Sequence, residues 1–244
     1  MQADPNRPDD SIAEGDAEPQ AAGGEPVFNI APVVLVLIAA NFAVHGVRTY
    51  LLSPAQDLSV LLATAFIPAR YGPLGGGFDL PWLTTPFTYA FLHGGMAHLG
   101  FNMIWLAIFG SPLAARIGTG RFLAFYFGAV LAAVAAHLVI HSGSVAMLVG
   151  ASGGVSGVTG AAARFAFRVS RDHGIRSFEG RLMPVTVALR IPTVLAFCAV
   201  WMVLNAATGA GLLAPDGSNN IAWEAHVGGF LFGFLLVGLF DRRH

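Results

Sequence analysis

Six apolar segments, each close to the length needed to cross a membrane, constrain this chain more than any other feature. They lie at about residues 27–47, 85–111, 122–141, 146–167, 191–208 and 221–240. A helix needs about 20 apolar residues to span the hydrocarbon core of a bilayer. Only 11% of the residues are charged, whereas about a quarter are charged in a typical soluble domain. The pattern therefore predicts an all-α membrane protein with six transmembrane helices and excludes an ordinary soluble domain.

Residues 1–26 differ in composition from the rest of the chain. They contain seven of the 14 acidic residues, a single basic residue (Arg7) and no aromatic residue. Such a segment cannot bury enough apolar surface to offset the entropy lost on ordering. It also lacks the basic and then apolar pattern of a signal peptide. We predict a disordered acidic cytoplasmic tail over residues 1–26 and one membrane domain over residues 27–241.

Arginine, which accounts for all 13 basic residues, sets the expected orientation. If the N-terminus is cytoplasmic, eleven arginines lie on the cytoplasmic side, and Arg48 and Arg70 lie opposite. Basic residues are enriched in cytoplasmic loops, and six crossings place both termini on one side. We therefore expect an integral membrane protein with cytoplasmic termini. The short tail without a transit-like pattern favours the bacterial inner membrane.

The first loop, residues 48–82, is too long to be a simple connection. Its apolar stretch 58–66 is too short to span a bilayer, and two prolines and the glycines 75–77 follow it. This pattern favours an element that is half-inserted or lies at the interface. A hidden seventh helix is the alternative.

Polar side chains interrupt the second apolar segment. His98 and Asn102 are four residues apart and share one helix face, whereas His93 would lie about 140° round the helix from His98. One use of this pair is an oxyanion hole, in which both side chains donate hydrogen bonds to a developing negative oxygen. Interhelical hydrogen bonding that only holds the bundle together is a second use. A metal site is a third, disfavoured because no carboxylate or cysteine accompanies these histidines.

A serine lies among glycines in the fourth segment. The run Gly150-Ala151-Ser152-Gly153 leaves space for a substrate carbonyl beside the serine, and the backbone N–H of Ser152 can donate to an oxyanion. The same glycines are also compatible with a simple helix-packing face.

The sixth segment carries a histidine one turn before a close-packing motif. Gly229 and Gly233 form a G-x-x-x-G face that can pack tightly on the fourth helix. A neutral imidazole at His226 can accept the proton of Ser152 and make it a competent nucleophile. Glu224, two residues before His226, points elsewhere. We therefore predict a Ser–His dyad with no acidic third member.

Together, H-x4-H-x3-N, G-x-S-G and A-H-x-x-G-x-x-x-G on helices two, four and six resemble the rhomboid intramembrane serine proteases. The resemblance covers about residues 28–241. It implies that Ser152 is the nucleophile and His226 the base. It implies an oxyanion hole formed by His98, Asn102 and the Ser152 backbone N–H.

The remaining candidate residues have structural roles. By the resemblance, His93 supports the first loop. The glycines that we expect to shape and support the site are Gly150, Gly153, Gly229 and Gly233.

The resemblance also implies a rhomboid-like bundle with a large, partly membrane-embedded first loop and a short fourth helix. A hydrated cavity would open to the periplasmic side. The substrates would be single-pass transmembrane proteins whose helices contain small or helix-weakening residues at the upper end. Membrane lipid is the other expected partner, and we expect no cofactor, no metal and no nucleic acid. Whether the chain forms homo-oligomers is left open.

Three positions depart from the family pattern. Ser156 stands where an aromatic residue often packs against the catalytic histidine. Ala114 replaces the acid of the E-x-R motif that ends at Arg116, and the first loop has no Trp-Arg pair.

Two other classes of protein are the alternatives to a protease. A non-catalytic rhomboid-like protein would bind membrane helices without cleaving them, but such relatives typically lack the serine or the histidine. A small transporter or channel is disfavoured because the sequence shows neither internal repeats nor a membrane-embedded carboxylate.

Overall fold

The computed structural model describes residues 30–73, 75–172, 175–212 and 222–242, except for the side chains of residues 171–175. The predicted acidic tail, residues 1–26, lies outside the described residues. The described chain is mostly helical, as the apolar pattern predicts.

The chain enters the bundle through α1 (Pro32–Tyr50), which is followed by a long structured loop. This loop contains α2 (Pro54–Thr64), a 3-10 turn at Pro68–Tyr71, α3 (Leu80–Thr88) and a 3-10 turn at Tyr89–Phe91. Ser53 caps α2, since its side chain accepts a hydrogen bond from the Gln56 N–H. With 11 residues, α2 is too short to cross a bilayer, which argues against a hidden seventh helix.

The second predicted segment begins later than expected. Its spanning helix runs from Met96 to Ile117, and the residues before it belong to α3 and the following turn. Gly94 and Gly95 separate the two helices, because glycine is a poor helix former. The spanning helix consists of α4 (Met96–Trp105), a π-helical turn at Leu106–Gly110 and α5 (Ser111–Ile117).

Two antiparallel helices lead to the centre of the bundle. α6 (Thr119–Ile140) starts directly after Gly118, whose φ of 81° also ends α5. α7 (Ser152–Arg164) is the central helix, and its residues from the second to the last are all buried. Since α7 has 13 residues and a helix rises 1.5 Å per residue, it is about 20 Å long.

One end of the bundle carries a short hairpin that corrects the all-α prediction. β1 (Val169–Asp172) pairs with β2 (Ile175–Phe178) in an antiparallel sheet. Arg116 fastens the hairpin, since its guanidinium donates to the Phe178 carbonyl at 3.0 Å and pairs with Asp241 at 2.7 Å. Polar and charged residues predominate in the two strands and apolar residues do not alternate with them, so the sequence analysis did not predict the strands.

The last three helices complete the bundle. α8 (Val185–Ala188) is a single turn, α9 (Pro192–Gly209) lies at the periphery, and α10 (Trp223–Leu236) packs against α6 and α7. Only 11% of the apolar window of α9 is buried, against 44% for Met96–Ile117. α9 is therefore the least buried of the four helices in the described chain that are long and apolar enough to cross a membrane.

Helix lengths divide the six predicted segments into two groups. Each segment contains a helix. By length and composition, four described helices can cross a membrane: α1, Met96–Ile117, α6 and α9. α7 and α10 are shorter, although the apolar helix that begins at Trp223 extends to Leu239.

The short helices α7 and α10 approach each other until their backbones touch. A Cβ on Gly229 would collide with the carbonyl of Gly153, and a Cβ on Gly233 would collide with the carbonyl of Gly157. A Cβ on Gly160 would meet the carbonyl of Phe230. Glycine is therefore required sterically along this contact.

We expect Gly233→Ala to destabilise the bundle by about 1–3 kcal/mol or more, because the added methyl group meets backbone that cannot rotate away. Thermal unfolding of the detergent-purified protein measures this. Gly100→Ala is the matched control, since a Cβ on Gly100 meets nothing within 4 Å and alanine favours the helix. Equal transition temperatures for the two variants would show that the close α7–α10 contact is absent.

Candidate active site

Ser152 is the first residue of α7, where unpaired backbone N–H groups cluster. Ala151 precedes it as the N-cap residue. The first N–H groups of a helix have no acceptor within the helix, and they form the positive end of the helix dipole. Ser152 is partly exposed, whereas the residues that follow it are buried. The local structure therefore suits the stabilisation of negative charge beside the serine.

Gly150 shapes the space in front of Ser152. Its φ of +124° is one that L side chains rarely adopt, and its N–H donates to the Tyr89 carbonyl at 3.0 Å. A Cβ on Gly150 would lie 2.8 Å from Cε1 of His98 and 3.6 Å from Oγ of Ser152. The His98 ring and the Ser152 hydroxyl thus border the same small space.

Asn102 lies one turn after His98 on α4, and its side chain is buried. Its Nδ2 group has no hydrogen-bond partner among the described residues. A buried donor without an acceptor costs about 1–3 kcal/mol. If Asn102 only joined helices together, this group would be expected to bond a neighbouring helix. It is instead a donor available to a bound oxygen atom.

His93 lies before α4 rather than on it, which corrects its predicted position round the same helix as His98. It is buried, and its ring packs edge-on against His98 with centroids 5.0 Å apart. Its Nε2 accepts a hydrogen bond from the Ala151 N–H at 3.4 Å, and its carbonyl accepts one from Arg48 at 3.2 Å. His93 therefore connects the first loop to the residue before Ser152.

The α7–α10 contact sets the position of His226. Gly229 lies against Gly153, and Gly233 lies against Gly157, so the two helices run parallel in a fixed register. One turn before Gly229, this register places His226 beside the start of α7.

Asn205, a residue that the sequence analysis did not single out, orients His226. Its Oδ1 lies 2.6 Å from Nδ1 of His226, while its Nδ2 donates to the Trp201 carbonyl at 2.7 Å. Because the amide nitrogen is engaged by a carbonyl, Oδ1 is the acceptor and Nδ1 of His226 carries the proton. That tautomer leaves Nε2 free to accept a proton. The sequence feature that could have identified Asn205 is its position as an asparagine in an otherwise apolar helix.

Ser152 and His226 make no hydrogen bond to each other in the described chain, and both side chains are partly exposed. Catalytic hydrogen bonds are often long in ligand-free enzymes and shorten when substrate binds. The structure thus places Ser152 and His98 on either side of the space at Gly150, and it places His226 in the first turn of α10, one turn before the contact of Gly229 with Gly153.

Glu224 points away from the serine towards α6. Its carboxylate lies 2.5 Å from Nδ1 of His137 and 3.2 Å from Nε2 of His141. The expectation that the bundle has no embedded carboxylate is therefore wrong, because Glu224 is 2% exposed. The sequence feature that could have identified this cluster is the four-residue spacing of His137 and His141, which places both side chains on one helix face.

A cavity of about 720 Å³ has His93 in its wall. Residues from α1, the first loop, Gly94, Gly95 and the segment before α7 line it. Arg48 and Asp57, which form an ion pair at 2.7 Å, contribute charge to its wall.

Comparison with known proteins identifies the family of the chain. The Rhomboid domain family matches residues 82–243. The chain is 31% identical over 160 residues to rhomboid protease GlpG of Serratia proteamaculans, covering 64% of this chain and 48% of the relative. It is 27% identical over 181 residues to rhomboid protease GlpG of Yersinia pseudotuberculosis, covering 68% and 55% respectively. The chain thus spans about half the length of these curated relatives.

The fold and the site define a helical membrane protein with a serine at the start of a short central helix and a histidine beside it. The Rhomboid family match, which covers residues 82–243, identifies the family within this class. The chain belongs to the rhomboid family.

We expect Asn205→Ala to slow the reaction of Ser152 with a fluorophosphonate probe by about 10-fold or more, part of the 10²- to 10⁴-fold that a positioned general base contributes. Asn205→Asp should retain most of the rate, since it keeps an acceptor for Nδ1 of His226. Asn41→Ala is the control, because Asn41 makes the same bond to the carbonyl four residues before it without contacting His226. If the two alanine variants, Asn205→Ala and Asn41→Ala, react with the probe at equal rates, Asn205 does not orient His226.

Proposed function

We propose that this protein is an intramembrane serine endopeptidase that cleaves transmembrane helices of other membrane proteins with a Ser152–His226 dyad. One observation carries the proposal: the His98 ring and the Ser152 hydroxyl border the space at Gly150, and the contact of Gly229 with Gly153 brings the first turn of α10, which carries His226, to the same positive end of α7. Membership of the rhomboid family and the printed names of the relatives, each a rhomboid protease, support it.

The reaction follows from the positions of these groups. Ser152 Oγ attacks the scissile carbonyl carbon, and its proton passes to Nε2 of His226. Asn102 Nδ2, His98 and the Ser152 backbone N–H donate to the oxyanion. His226 then gives the proton to the leaving amine, and water releases the acyl-enzyme with His226 acting again as base.

The neutral His226 has a hydrogen-bonded partner in place of an acid. Asn205 holds its Nδ1–H, so the imidazole is oriented without a buried negative charge beside it. Glu224, the nearest acid along the chain, is engaged by His137 and His141. This supports a dyad assisted by an amide and not a triad with a carboxylate.

The short α7 places the serine below the membrane surface in this proposal. The six segments cross the bilayer, with both termini and the arginine-rich hairpin in the cytoplasm. α7 rises about 20 Å from the hairpin end within a hydrocarbon core of about 30 Å. Ser152 then lies about 10 Å below the periplasmic edge, within reach of water from the outside. The first loop lies partly in the outer leaflet.

Substrates must unwind before Ser152 can reach a peptide bond. A peptide bond in a membrane helix is shielded by its own hydrogen bonds, and glycine-containing stretches unwind more easily. Single-pass transmembrane proteins with such residues near the periplasmic end fit this requirement. We propose that substrates enter beside α9, the least buried of the four long apolar helices in the described chain. A bacterial inner membrane is the proposed location.

The alternative is a rhomboid-like protein that binds membrane helices without cleaving them. Against it, both the serine and the histidine are present, and Asn205 fixes the tautomer of His226 that a general base requires. A role limited to binding would not need that tautomer.

The proposed function predicts that a fluorophosphonate probe labels the detergent-purified protein at Ser152. Ser152→Ala and His226→Ala should abolish labelling and cleavage of a transmembrane substrate while remaining folded. Ser156→Ala, one turn along α7, is the matched control and should remain active. A folded wild-type protein that neither reacts nor cleaves would favour the binding alternative.

We expect Asn102→Ala to lower turnover of a transmembrane substrate by about 10- to 1000-fold, because one oxyanion donor is lost. The effect should fall on kcat, since the donor acts mainly on the transition state. Cleavage kinetics in detergent or proteoliposomes measure it. Unchanged turnover would assign Asn102 to helix packing.

A further inference from the structure

Three side chains with metal-binding atoms converge where the end of α6 meets the start of α10. His137 lies in the last turn of α6, His141 follows that helix, and Glu224 lies in the first turn of α10. One nitrogen of each histidine and one carboxylate oxygen lie within 4.8 Å of one another. We refer to these three residues as the α6–α10 cluster.

The distances in the α6–α10 cluster are close to those of a zinc site. Oε1 of Glu224 lies 2.5 Å from Nδ1 of His137 and 3.2 Å from Nε2 of His141. In a tetrahedral zinc site with bonds of about 2.0–2.1 Å, neighbouring ligand atoms are about 3.3 Å apart. A small increase in the distance between Oε1 of Glu224 and Nδ1 of His137 would therefore make room for the ion.

The charge of the cluster also favours a cation. The Glu224 side chain is 3% exposed, and its ion-pair partners within the described ranges are the two histidines. A neutral imidazole supplies hydrogen bonds without opposing charge. A buried carboxylate is costly without such compensation, and a divalent ion would supply it.

The cluster is open on one side. The His141 side chain is 43% exposed, which gives an ion a path from outside and leaves room for water as a fourth ligand. On the inner side, the ring of Phe66 packs edge-on against His137 with centroids 6.3 Å apart. One wall is thus fixed by the first loop, and the other is accessible.

We propose that Nδ1 of His137, Nε2 of His141 and a carboxylate oxygen of Glu224 bind Zn²⁺, with water as the fourth ligand. Two histidines and a glutamate form a known type of zinc ligand set. On binding, the ion takes the place of the Nδ1 proton that joins His137 to Glu224, and the neutral imidazole of His137 carries its proton on Nε2 instead. The site is separate from Ser152, and the proposal does not depend on proteolysis.

Zinc at this position would join the start of α10 to the end of α6. Glu224 is two residues before His226, so the ion would hold the turn that carries the proposed base. Because the ion binds the folded protein, the unfolding temperature should rise with the zinc concentration.

The test uses the full-length Ser152→Ala protein in detergent, stripped of metal with a chelator. Isothermal titration with Zn²⁺ measures stoichiometry and affinity, and the visible absorption spectrum with Co²⁺ reports coordination geometry. We expect one Zn²⁺ per chain and a tetrahedral Co²⁺ spectrum. Adding His141→Ala should weaken binding by about 100-fold or more, exceeding the 10- to 100-fold loss typical of outer-shell changes.

Histidine variants elsewhere in the protein provide the matched controls. His226→Ala removes a histidine from the candidate active site and should leave zinc affinity unchanged. Glu224→Gln should weaken binding while its amide still accepts a hydrogen bond from His137. The proposal is overturned if the parent protein binds no zinc, if His141→Ala binds as tightly as the parent, or if His226→Ala abolishes binding.

Discussion

The candidate site depends on how closely α10 approaches α7. Glycines occupy the points of closest contact on both helices, so the carbonyls of Gly153 and Gly157 lie against the backbone of Gly229 and Gly233. Apolar burial gives little driving force between helices in a bilayer, and close packing becomes a main source of association. The same contact fixes the register that brings His226 to the start of α7. Stability and site geometry therefore rest on one feature.

Polar groups inside the bundle follow a simple rule, which is that most of them have a partner from another element. His226 has Asn205, Glu224 has His137 and His141, and Arg164 donates to the Phe234 carbonyl at 2.6 Å. Asn102 is one of the exceptions, since its buried Nδ2 lacks a protein acceptor in the described part of the chain, just as His45 Nδ1 and the Tyr126 hydroxyl lack a partner. An unsatisfied donor at this depth is tolerated most easily where a ligand supplies the acceptor.

The start and the middle of α10 are held in different ways. Its start is joined to α6 through Glu224 and to α9 through Asn205, both by hydrogen bonds between side chains. Further along, the Phe230 ring stacks on Trp201 of α9 with centroids 4.4 Å apart. Because α9 is the least buried of the four long apolar helices in the described chain, a movement of α9 would act on Asn205 and hence on His226. Under the proposed function, substrate entry beside α9 would therefore be physically linked to the orientation of the proposed base.

The sequence by itself determined the membrane class, the helical segments and the candidate residues Ser152, His98, Asn102 and His226, because apolar length and i, i+4 spacing are local properties. The prediction that His93 lies on the same helix as His98 was wrong, because Gly94 and Gly95 interrupt the helix between them. It also missed the β1–β2 hairpin. Only the tertiary structure decided that Asn205 meets His226 and that Glu224 meets His137 and His141. Those pairs join different helices, and their meeting depends on helix register and rotation, which backbone contacts between glycines set and which spacing along one helix cannot specify.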